Sequence, residues 1–170
     1  MNRFAPACLA LAAALAGCGY HVTGQGDLLP KSIHTVAVTA MPGPRYQLSR
    51  ILPADIAREL IARTKYQLIN DASQADAVVG GHVINVSNFP TQYDPATGRA
   101  TSVQVIVNVQ VVMTERATGK TLFSQPNMEI RERYQISTNP QQYFDESGTA
   151  LARLSKDVAQ SVVSAMLEQF

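Results

Sequence analysis

The sequence predicts an α/β sandwich of the α+β type, a two-layer fold in which two helices pack on a mainly antiparallel sheet. Three observations predict it. Val103, Val105, Val107, Val109, Val111 and Met113 occupy every second position, with Gln104, Asn108 and Gln110 between them, which is the alternation of a long strand with one buried face and one polar face. Strand-like runs precede and follow it, so the middle of the chain reads as a meander of three long strands. Apolar residues at helical spacing occur once before the meander and once after it.

In chain order, His34 to Ala40 alternates as a first strand, and Met41-Pro42-Gly43-Pro44 stops it. From Ser49 to Thr64, Ile51, Leu52, Ile56, Leu60 and Ile61 cluster on one side of a helix, with Arg50, Asp55, Arg58, Glu59 and Arg63 mostly opposite. Pro53 is expected in or near the first turn, where proline is tolerated. A short strand around Tyr66 to Asn70 completes a βα-then-β opening, the one helical crossover expected in the first half.

The meander runs over Val78–Phe89, the alternating strand, and Thr121–Ile136. In the last of these Met128, Ile130, Tyr134 and Ile136 share a face against Asn127, Glu129, Arg131, Arg133 and Gln135. Gly80-Gly81 marks a bulge or a close backbone approach, and Pro126 an irregularity or an edge position. Asn139-Pro140 supplies a cap and a first-turn proline for a closing helix. On that helix Phe144, Leu151, Leu154, Val158, Val162 and Ala165 recur at three or four residue intervals, and Val163, Met166, Leu167 and Phe170 broaden the apolar face.

The N-terminus carries an address. Arg3, the apolar run Cys8 to Leu15 and the small residues Ala16 and Gly17 have the three parts of a secretory signal, and the run is shorter than the roughly 20 residues of a spanning helix. Leu15-Ala16-Gly17-Cys18 resembles the lipobox of bacterial lipoproteins, which implies cleavage before Cys18 and acylation of that cysteine. Several acyl chains, at about 0.8 kcal/mol per buried methylene, anchor a protein firmly. Gly19 follows the cysteine where aspartate does not, which resembles the outer-membrane sorting pattern. The expected organisation is a signal peptide over 1–17, a lipidated tether over 18–32, rich in glycine and poor in periodicity, and a single sandwich domain over 33–170.

With Cys8 lost and Cys18 acylated, no disulfide is left within the mature chain. The 14 basic and 13 acidic residues balance once Arg3 is removed, so no basic field argues for nucleic acid. A charged fraction of 16% is low against the roughly 25% of average proteins, and suggests that a partner covers part of the surface.

Catalytic and metal motifs are missing from the sequence. His21, His34 and His82 have no metal-ligand spacing, no nucleophile elbow or phosphate loop appears, and Asp145-Glu146 reads as first-turn acids of the last helix. No enzyme is expected, and no cofactor beyond the lipid on Cys18. Two loops resemble each other, Pro95-Ala96-Thr97-Gly98-Arg99 and Arg116-Ala117-Thr118-Gly119-Lys120. Thr-Gly makes a good hairpin turn, and a cation beside it keeps the loop soluble. The functional alternative is that Arg99, Arg116 and Lys120 meet phosphates or carboxylates, although the turns of a simple meander lie at opposite ends. Arg131 and Arg133 share one face of a strand and are the better local pair, with a solvated face as the plain alternative.

Cys18-Gly19-Tyr20-His21-Val22, followed by Gly24, resembles the start of mature lipoproteins of the LptE family, and the order of elements is similar along the mature chain. The resemblance implies a non-enzymatic partner of the outer-membrane translocon for lipopolysaccharide (LPS), seated in the lumen of the LptD β-barrel and binding LPS. It implies a membrane-anchored protein whose domain lies in the periplasm or the barrel lumen. Arg131, Arg133, Arg99, Arg116 and Lys120 are then the cations available to LPS, because the family's own ligand-binding residues fall in segments that match poorly. The alternative is a scaffold subunit of another envelope transport or secretion complex.

Overall fold

In the computed structural model, which describes residues 32–136 and 147–168, the alternating run becomes the second-last strand of a five-stranded sheet. The elements are β1 (Thr35–Val38), α1 (Tyr46–Arg63), β2 (Gln67–Leu68), β3 (Ala77–Tyr93), β4 (Ala100–Glu115), β5 (Thr121–Gln135) and α2 (Ser147–Glu168). The sheet order is β2-β1-β3-β4-β5. β1 is parallel to both β2 and β3, and the long pairs β3–β4 and β4–β5 are antiparallel. The fold is therefore the expected α+β sandwich, with a mixed corner where the βαβ opening joins the meander.

Both helices bury one face on the same side of the sheet. Val105, Val107, Val109, Val111 and Met113 of β4 join Leu52 and Ile56 of α1 and Leu154, Val158 and Val162 of α2 in one core. Val163 and Met166 are buried with them, so the broad apolar face of α2 is core. The expected start of this helix at Asn139-Pro140, with Phe144, and its last residue Phe170 lie outside the described residues, as do the signal segment, Cys18 and His21.

α1 begins three residues earlier than its apolar spacing suggests, so Pro53 sits inside the helix and not in its first turn. There the proline removes the N–H that would bond the Ser49 carbonyl. The helix also faces differently. Asp55 is buried and accepts a hydrogen bond from the buried Ser155 hydroxyl of α2, with the Arg58 guanidinium 2.9 Å from its other oxygen. Ile61, expected inward, is 53% exposed. At the last residue of α1, Arg63 Nη1 donates to Ser164 Oγ of α2 at 2.7 Å. The two contacts advance together along both chains, so α1 and α2 run parallel and are locked in register.

Gly81 is a close approach: an ideal Cβ there would lie 2.0 Å from the Gln110 carbonyl oxygen. The bulge falls three residues later, where Ile84 has no partner between Val83↔Val109 and Asn85↔Asn108. Pro126 fulfils both expectations for it, since β5 is an edge strand and its register with β4 shifts between Val109 and Val111.

Candidate functional site

The helices cover one face of the sheet, and no described residue forms a second layer on the other. That open face is built from the between-positions of the alternating strands. On β4 it carries Gln104, Ile106, Asn108 and Gln110; register sets Phe89, Ser87, Asn85 and His82 of β3 beside them on one side. On the other side Gln104, Ile106 and Asn108 stand opposite Arg133, Arg131 and Glu129 of β5. The face is thus mostly amide and hydroxyl, with its formal charge confined to β5.

Arg131 and Arg133 emerge there together, two residues apart on the outward side of an edge strand, as strand periodicity requires. They are not equivalent. Arg131 Nε donates to Glu129 Oε1 at 2.8 Å and its Nη2 approaches the same oxygen at 2.6 Å. The hydrogen bond from Arg131, and then its charge, hold the Glu129 carboxyl below the usual glutamate range. Asn108 Nδ2 donates to Asn127 Oδ1 at 3.0 Å beside this pair. Arg133 is exposed and has no ion pair among the described residues. The charge of Arg131 is therefore balanced in place by Glu129, while Arg133 is left exposed on the open face.

The other three cations do not join them in one site. Register puts Tyr93 opposite Ala100 at one end of the sheet and Ala77 opposite Glu115 at the other. At about 3.3 Å per residue, these ends are roughly 50 Å apart. Arg99 lies at the first end, beyond Arg133; Arg116 and Lys120 lie at the second. The two turns share one design, with Gly98 N–H donating to the Asp94 carbonyl at 2.8 Å and Gly119 N–H to the Glu115 carbonyl at 2.9 Å. Gly98 and Gly119 adopt φ of 66° and 70°, the left-handed region where a Cβ is costly. Turn chemistry accounts for Thr-Gly in both loops. Arg116 is occupied structurally, its Nε donating to the Ala75 carbonyl at 2.7 Å and its N–H to that of Asp76 at 2.8 Å.

On the helix-facing side of β5, Glu132 breaks the apolar row and meets Arg153 of α2 at 3.5 Å. Strand alternation puts Glu132 on the apolar side of β5, but sequence spacing does not show that Arg153, on a helix beyond the strand, meets it there. It also misses the full length of β3, which continues past Pro90 to Tyr93. Proline in a strand is the signal for an edge position. No described helix is long and apolar enough to cross a membrane.

The comparisons with known proteins agree with this architecture. Lipoprotein B of Nitrosomonas europaea superimposes with a TM-score of 0.55 at 16% identity, over 84% of this chain and 96% of that one. Rare lipoprotein B of Shewanella oneidensis gives 0.51 at 17% identity, over 79% and 94%. The PelC dodecamer subunit of Paraburkholderia phytofirmans gives 0.51 at 14% identity, over 84% and 93%. At these identities the likeness is one of fold. No curated protein matches the sequence. A family model described as "LptE: Lipopolysaccharide-assembly" matches residues 33–166, from the strand before α1 to the last turns of α2. By that match, which spans most of its length, the chain belongs to the LptE lipopolysaccharide-assembly family.

Proposed function

We propose that the protein is an outer-membrane lipoprotein, tethered through acylated Cys18, that seats its folded part in the lumen of an LptD-like β-barrel and supports LPS insertion at the cell surface. The family match supports the role in LPS assembly. The observation that carries the plug reading is the open sheet face, amide- and hydroxyl-rich over β3 and β4 with few charges, because the interior of a large membrane barrel is itself polar. A plug needs surface complementarity and a high local concentration at one membrane, and a lipid tether supplies the second without adding a contact. Arg133, with Arg131 beside it, is the cationic group offered to LPS phosphates; Arg99 lies beyond it at the end of the sheet, and Arg116 and Lys120 lie at the far end, so none of the three belongs to that group.

Extraction of the full lipoprotein in mild detergent tests the reading. Recovery of the translocon barrel with it supports the plug, and recovery of a different envelope complex without the barrel overturns it in favour of a scaffold role. Depletion of the protein lowers LPS at the cell surface. Cys18→Ala leaves the signal uncleaved or releases the protein from membranes, and an unchanged membrane fraction and mass refute the anchor.

A further inference from the structure

β3 is longer than anything that flanks it on its β1 side. Its pairing with β1 ends at Val79, and only Val83 N–H, donating to the Pro42 carbonyl at 2.8 Å, continues that side. From Ile84 to Tyr93 no described residue pairs with β3 opposite β4. Val83 fixes which backbone groups face this free side. Alternation carried past the bulge at Ile84 turns the groups of Val86, Asn88 and Pro90 the same way. Pro90, which has no N–H, sits where it costs the β3–β4 ladder nothing.

Among the described residues three stretches of sheet edge are unpaired, and they are guarded differently. β2 is two residues long. β5 carries Glu129, Arg131, Glu132 and Arg133 along its regular half and Pro126 in the other. Both are ways of preventing another strand from adding on. The β3 edge has no charge between Ile84 and Tyr93. It exposes three large apolar side chains, Ile84 at 43%, Phe89 at 50% and Tyr93 at 61%. The bulge at Ile84 and Pro90, which offers no N–H on the free side, interrupt this edge, and the groups of Val86 and Asn88 and the Pro90 carbonyl are left to pair. An uncharged edge of this length is tolerated when something covers it, and another backbone supplies donors and acceptors at strand spacing.

We propose that the free edge of β3, Ile84 to Tyr93, is where an extended, uncharged segment of the barrel partner adds as a strand, with Phe89 and Tyr93 packing against its side chains. This rests on the plug reading and names the backbone contact that would hold the plug. The segment is a protein strand and not a lipid, because the feature that distinguishes this surface is its row of unpaired peptide groups.

The test uses the full lipoprotein expressed with its barrel and purified in detergent. A photo-crosslinking side chain is placed at Asn88 or Gln92, both exposed on this stretch, or at Ser124 on the β5 edge. The expected result is an adduct with the barrel chain from positions 88 and 92, at least tenfold stronger than from 124. Asn88→Lys, which adds an edge guard at an exposed site, is expected to lower barrel recovery at least fivefold with an unchanged urea midpoint. Barrel recovered with the parent but adducts that join two copies of this chain, adducts of unchanged mass, or adducts equal at all three positions would overturn the edge proposal and leave the plug standing. Unaltered barrel recovery with Asn88→Lys would also overturn it. No barrel recovered with the parent overturns the plug reading, and this proposal with it.

Discussion

Val107 lies at the middle of β4, fully buried between the two helices and the neighbouring strands. Val107→Ala removes two carbon atoms from that position. At about 0.8 kcal/mol per buried carbon the transfer loss is about 1.6 kcal/mol. The cavity left, roughly 50 Å³, adds about 1.2 kcal/mol at about 24 cal/mol per Å³ if its walls do not relax. A loss of about 2 to 3 kcal/mol is expected, a large part of the stability of an ordinary domain. Gln104→Ala, three residues away on the open face, is expected to stay within about 0.5 kcal/mol. Urea unfolding of the full chain in detergent, followed by circular dichroism, measures both. Val107→Asp buries an unpaired charge and is expected to abolish the cooperative transition. Equal costs for Val107→Ala and Gln104→Ala, or a parent-like melt for Val107→Asp, would refute the assignment of the two faces.

Gly81→Ala forces a Cβ against the Gln110 backbone and should cost about 1 to 3 kcal/mol in the same assay, whereas Gly148→Ala, with open space around it, should be neutral or gain a few tenths. Ser155→Ala leaves the buried Asp55 oxygen without its donor and should cost about 1 to 3 kcal/mol; a change under 0.5 kcal/mol would show that the pair does not hold the helices. Asp76 accepts from the N–H groups of His34 and Thr35 and from the Thr35 hydroxyl, and these bonds, His34 first, hold its carboxyl below the usual aspartate range. A depressed folded-state pKa means the contribution is complete above the ordinary aspartate value of about 4 and is lost as pH falls through the lower folded-state value. Asp76→Asn should therefore flatten the acid limb of the stability profile, and identical acid limbs would exclude the role.

The parts of the fold visible in the sequence are those where one physical rule acts alone. Along β4 burial follows strand alternation without exception from Val103 to Met113, because helices cover one side for that whole length. On α1 two rules compete. Asp55 reads as a solvent residue by polarity, yet it is buried because the hydroxyl of Ser155, a hundred residues away, meets it there. Ile61 reads as core by the same logic and is exposed because α2 lies along the other flank. Neither outcome is local, so spacing within the helix cannot supply it. The candidate cations show the same division. Strand periodicity puts Arg131 and Arg133 on one face, while the pairing of Arg131 with Glu129 and the tie of Arg116 to Ala75 depend on side-chain reach and on which strands become neighbours.

The free edge of β3 follows from a mismatch of lengths. α2 has 22 residues, about 33 Å at about 1.5 Å each, and the buried row of β4 from Val103 to Met113 spans about the same distance at about 3.3 Å per residue. That half of the sandwich is matched. On the other half, β1 has four residues and β2 two, while β3 has 17. The helix register is fixed by the Asp55–Ser155 and Arg63–Ser164 contacts, so α1 cannot slide along the sheet to cover the excess. The Ile84–Tyr93 half of β3 ladders with β4 and packs Val86 on the core, and most of its other side chains are exposed. A chain selected for stability alone would shorten it or guard it with charge, as β2 and β5 are shortened or guarded. Keeping a long, neutral, aromatic-bearing edge beside a well-matched core argues that the excess length is there for a partner.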